Sequence, residues 1–143
     1  MNWKIIVIHV FLLLIAGIAF GIFEVHPSSF TPNVVLLNYL MNQCVILFVY
    51  LLIFAHVTYK TDHYPVAHAL LALLLSDEIA SMLLTLLQSY LGAEPEPIQP
   101  IQFLVFEYIS LLVVLFAGIK AGISLKQRKI LKAARIGSAS TNA

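Results

Sequence analysis

Apolar residues fill this chain in four long runs, at residues 5–23, 34–55, 66–91 and 101–123, parted by short polar stretches. At ~1.5 Å rise per residue, each run is long enough as a helix to cross the ~30 Å hydrocarbon core of a bilayer. The breaks carry helix-ending and helix-starting chemistry. His26-Pro27-Ser28-Ser29 and Thr31-Pro32-Asn33 close the first run and cap the second, and Thr61-Asp62 with Pro65 opens the third. Gly92-Ala93-Glu94-Pro95-Glu96-Pro97 stops the third, and Pro100 precedes the fourth. The pattern predicts an all-α fold, an integral membrane four-helix transmembrane bundle over residues 1–125. A basic and then flexible cytoplasmic tail follows over residues 126–143.

Composition agrees with that reading. Of 143 residues, 61% are hydrophobic and 10% charged, against roughly 25% charged in a soluble domain. The net charge of +1 hides a strong asymmetry. Lys4, Lys60, Lys120, Lys126, Arg128, Lys129, Lys132 and Arg135 all fall at one end of the predicted bundle, and Glu24, Glu94 and Glu96 occupy the loops at the other. The positive-inside rule then places both termini in the cytoplasm and the acidic loops outside. The compact layout with short loops suits a bacterial inner membrane. A cleavable signal peptide is the rival for the first run, because Lys4 precedes it and Gly17-Ile18-Ala19 offers small residues. The apolar stretch continues to Phe23, however, past the usual h-region of about 7–15 residues, so four spans are expected.

Polar residues inside these runs are the candidates for function. Asp77 and Glu78 sit side by side near the middle of the third run, where charge is costly and usually functional. At ~100° per residue, Asp77, Glu78, Ser81, Thr85, Gln88 and Ser89 share one face roughly 120° wide. The opposite side, with Leu74, Ile79, Leu83 and Leu86, is expected to meet lipid. The second run offers Asn38 and Asn42 one turn apart, with Gln43 pointing elsewhere, and the fourth offers Glu107 with Tyr108 and Ser110. By helical rise, Asn38, Asn42, Ser81, Thr85 and Glu107 converge in the outer half, over a floor formed by Asp77 and Glu78 ~20 Å down. Two adjacent carboxylates cannot both stay ionised cheaply at that depth, and no Lys or Arg lies level with them. Something must neutralise them: a proton, a bound cation, water in a cavity, or a basic group of another protein.

Other constellations are weaker. His56, His63 and His68 lie near the basic face with His9 deeper and Asp62 close by. Imidazoles ligate metals and relay protons, but the spacing is not that of a metal motif, and interfacial histidines are the plainer expectation. The interior of the third and fourth spans has no histidine to face another across a haem. No Gly-rich phosphate loop or nucleophile elbow occurs, so neither a cofactor nor an enzyme is expected. The short basic tail suits anionic lipid better than nucleic acid. Cys44, the only cysteine, rules out an internal disulfide and reads as a buried packing residue. Two GxxxG spacings, Gly17/Gly21 and Gly118/Gly122, allow close helix approach but are common enough in apolar helices to carry little weight.

Two functions fit these residues. One is proton- or cation-linked transport, or a channel-like activity, through Asp77, Glu78, Glu107, Asn42, Asn38, Ser81 and Thr85. The other is a non-catalytic accessory or immunity-type protein that binds another membrane protein through its helix faces. The expected partners are the lipid bilayer, a second copy or another membrane protein, and a proton or cation.

Overall fold

The computed structural model describes residues 2–23, 31–92 and 101–140. They form four helices, α1 (Trp3–Phe23), α2 (Pro32–Lys60), α3 (Pro65–Leu91) and α4 (Ile101–Ser140), with no strand among the described residues. All four are long and apolar enough to cross a membrane. The acidic loops carrying Glu24, Glu94 and Glu96 lie outside the described residues.

Local chemistry explains the ends. Pro32 and Pro65 open α2 and α3, since a first-turn N–H has no helical partner to lose. Gly92 closes α3 in the left-handed conformation (φ 62°), its N–H donating to the Gln88 carbonyl. Between α2 and α3 the chain turns through Tyr64, which also adopts a positive φ of 54°, an unfavourable choice for a bulky residue. The turn is held by its neighbours. The Tyr64 carbonyl accepts from the His68 backbone N–H and from the His68 ring, and the other ring nitrogen accepts from the Asn2 N–H. That bridge ties the start of α1 to the start of α3. α4 passes the predicted limit at Ile123 and runs to Ser140, so residues 126–140 extend the fourth helix. Lys126 on this extension donates to the Thr61 carbonyl and to Asp62, at 2.9 and 2.6 Å. Lys129 lies over the Tyr59 ring.

The core occupies only the basic half of the bundle. Ile6, Val10 and Leu13 of α1, Phe54 and Val57 of α2, Ala69 and Ala72 of α3, and Leu115 and Ile119 of α4 form one buried cluster. Toward the acidic end the helices splay. Beyond Leu13 on α1 and Ser76 on α3 no described side chain is buried. Small residues set this taper. A Cβ on Gly118 would lie 2.7 Å from the Phe54 Cβ and 2.9 Å from the Leu51 carbonyl oxygen. On Gly122 it would lie 2.5 Å from the Ala55 carbonyl oxygen. The α4 spacing is therefore a backbone-to-backbone crossing with α2, stronger than its commonness suggested. Gly17 is roomier, with the Tyr50 hydroxyl 3.5 Å from a notional Cβ, and Gly21 meets nothing. α2 packs most extensively on α4 and α1 packs on both α2 and α3, while α3 and α4 barely touch. The ring α3–α1–α2–α4 is thus loosest between its two ends. Cys44, expected in the packing, is exposed instead, because the buried line of α2 follows Phe54, Ala55, Val57 and Thr58.

Candidate functional site

Splaying leaves two adjoining cavities above the core. The first, of about 330 Å³, is lined from α2 by Gln43, Ile46, Leu47 and Tyr50, and from α4 by Leu104, Glu107, Tyr108 and Leu111. Gly17 and Phe20 of α1 and Asp77 of α3 complete it. The second, of about 650 Å³, lies between α1 and α3, with Leu13, Leu14 and Ile18 facing Leu73, Ala80, Leu83, Leu84 and Leu87. Gly17, Tyr50, Asp77 and Leu111 line both. Asp77 and Tyr50 therefore stand at the seam between an acidic chamber and a leucine-rich one.

Gln43 Nε2 donates to Glu107 Oε1 at 3.0 Å, holding one oxygen of the carboxylate. The Tyr50 ring is set edge-on against Phe54 in the core below, with ring centroids 6.2 Å apart. Its hydroxyl lies beside Gly17. Among the described residues no Lys or Arg lines either cavity. Two carboxylates, an amide and a phenol offer the chemistry that attracts a positive charge. Among the described residues no three His, Cys, Asp or Glu side chains gather to hold a metal ion.

The structure brings together part of the expected set. Asp77 and Glu107, from different helices, share the first cavity. Glu78, Ser81 and Thr85 do not join them and are exposed. The reason is the rotation of α3. Its inward line runs Ala69, Ala72 and Ser76, all buried, and continues through Ala80, Leu83 and Leu87 along the second cavity. At ~100° per residue the line of Glu78, Ser81, Thr85 and Gln88 lies roughly 150° away, and Asp77 falls between the two. The polar stripe thus points out of the bundle, and Leu83, expected to face lipid, lines the second cavity while remaining exposed. The Thr85 hydroxyl turns back onto the Ser81 carbonyl of its own helix, a common refuge for a hydroxyl on a membrane helix. Asn42 is buried at 8% exposure and Asn38 half-buried, but neither lines a cavity.

Gln43 and Tyr50 are the residues that sequence reasoning missed. Gln43 lies off the Asn38–Asn42 line, the face of the second run that polarity marks as inward. Tyr50 stands among apolar neighbours in the second run, where polarity alone marks nothing. A signal existed for both: Gln43, Leu47 and Tyr50 recur at spacings of four and three, the register of a single helix face.

No protein-family model matches the chain, and no curated protein or solved structure is similar to it.

Proposed function

We propose that this chain is a small four-span membrane transporter in which Asp77 and Glu107 take up a proton or a cation. The observation that carries the reading is their meeting, from α3 and α4, on one cavity free of Lys and Arg among its described lining residues. The adjoining chamber is mostly aliphatic and large enough for a small amphiphilic cation. Such a ligand would set its charge at the Asp77 seam and its apolar body among Leu83, Leu84 and Leu87. The closed core at the basic end and the splayed acidic end suit a state open to one side. The clustering of Lys and Arg supports a cytoplasmic location for that closed end and for both termini, in a bacterial inner membrane.

Binding of tetraphenylphosphonium to the detergent-solubilised protein tests the reading by isothermal titration. Saturable binding that weakens at least tenfold in Glu107→Gln supports it. The absence of binding, together with the absence of proton flux in vesicles, would sink it.

A second reading rests on a separate observation. Glu78, Ser81 and Thr85 are exposed on a helix suited to lipid, and polar groups placed there favour a protein neighbour. An accessory protein that docks through this face of α3 is the alternative. Co-purification of a membrane protein that is lost in Glu78→Leu, with the fold intact, would favour it.

A further inference from the structure

At the basic end, level with the lower part of the core, two histidines from different helices meet. His9 of α1 is 2% exposed, whereas His56 of α2 is exposed. The His9 Nδ1 lies 2.6 Å from the Ile5 carbonyl oxygen. A carbonyl only accepts, so this nitrogen carries a hydrogen. The His9 Nε2 lies 3.1 Å from the His56 Nδ1, with the ring centroids 5.2 Å apart. In the neutral pair the His9 Nε2 must be the acceptor and the His56 Nδ1–H the donor. That arrangement leaves the His56 Nε2 as a bare acceptor on the exposed ring.

We infer that His9 and His56 form a proton-loading site that holds one proton, with the exposed His56 carrying the charge and the buried His9 accepting its Nδ1–H. A proton added to the His56 Nε2 makes that ring an imidazolium. Its Nδ1–H keeps donating to the His9 Nε2 and the bond becomes charge-assisted, while burial keeps the His9 ring neutral. One proton enters and none leaves, and neither ring moves. A second proton would set N–H against N–H at the same separation, between two cations, so the pair holds only one.

Neighbouring groups do not compete for this role. His68 of α3 has both ring nitrogens engaged, by Tyr64 and Asn2. Lys126 of α4 is held by Asp62, and Lys129 lies over Tyr59. Lys4 of α1, Lys60 of α2, Lys120 of α4 and the loop residue His63 are exposed. The site is also well separated from the acids. Gly17 at the cavity lies eight positions along α1 from His9, ~12 Å of helix, with Val10 and Leu13 buried along the way. Where the inference ties the pair to transport, it rests on the reading of the cavity. Two proton sites then stand on opposite sides of one dry layer, as alternating access needs.

The test is a ¹⁵N-histidine NMR titration of the full chain in nanodiscs, from pH about 8 to about 5. The expected result is one proton taken up by the pair, with both rings responding in a single step. At high pH, His9 and His56 should both show the Nδ1–H tautomer. Two independent one-proton titrations, or an Nε2–H tautomer for neutral His9, would overturn the inference. His56→Phe, a change on an exposed face, should leave the fold intact and remove the shared step. In vesicles, the same variant should lower wild-type proton flux about tenfold and shift its pH profile. Unchanged flux and profile in His56→Phe would overturn the link to transport. Absence of flux in the wild type would instead refute the reading of the cavity, with the NMR result still deciding whether the pair holds one proton.

Discussion

Gly122 of α4 rides directly on the Ala55 carbonyl of α2, so closely that a Cβ would lie 2.5 Å from that oxygen. This contact and the one at Gly118 pin the basic half shut, and the rest of the architecture follows from them. With α2 and α4 clamped at that end, the larger side chains above hold the acidic half apart.

Gly118→Ala and Gly122→Ala should therefore destabilise the bundle, each by about 1–3 kcal/mol, as overpacking of a tight contact does. Gly17→Ala and Gly21→Ala should be near neutral, because only the Tyr50 hydroxyl stands near the first and nothing near the second. Thermal unfolding in one detergent checks all four. Equal effects at the two GxxxG sites would contradict the clamp.

How far this was legible follows from the kind of signal each residue gives. Four apolar runs report helix number and length directly, since bilayer thickness fixes both, and the observed helices contain every predicted run. Rotation about the helix axis is a different matter. In a soluble helix, polarity marks the outside, and a membrane helix is commonly read the other way round. α3 breaks that reading: Ala69, Ala72 and Ser76 pack inward because they are small, and the Glu78–Ser81–Thr85 stripe is left outside. Asp77 was recoverable because it sits at the border of the two faces, and Glu107 because it is the only acid of its span. Gln43 and the His9–His56 contact depend on which helices are neighbours, a relation between segments about 47–64 residues apart that no local pattern encodes.

Gln43→Leu should keep the fold and weaken cation binding about threefold to tenfold, because Glu107 loses the donor that orients it. Titration with tetraphenylphosphonium measures this. Affinity equal to wild type would show that the bond does not organise the site.

Lys126 holds the Asp62 carboxyl below the ordinary carboxylate range, through a hydrogen bond and its positive charge. A carboxyl with a lowered folded value stabilises above its unfolded value, about 3.9, and that contribution fades as pH falls through the lower folded one. The pair should therefore persist to pH about 4 and open only below it. Both groups are solvent-accessible, so the effect on overall stability should be small and should shrink with added salt. The Asp62 carboxyl ¹³C shift across that range reads it out. Protonation at or above the ordinary carboxylate value would contradict the pairing.

In the proposed function the Asp77 and Glu107 carboxylates act as a site while the adjacent Glu78 does not. Proton flux into reconstituted vesicles under an imposed pH gradient, compared across Asp77→Asn, Glu107→Gln and Glu78→Gln, tests it most directly. Wild-type flux should exceed that of empty vesicles, fall at least tenfold in the first two variants and stay within about twofold in Glu78→Gln. Flux that survives Asp77→Asn, or that Glu78→Gln abolishes while the fold is kept, would contradict it.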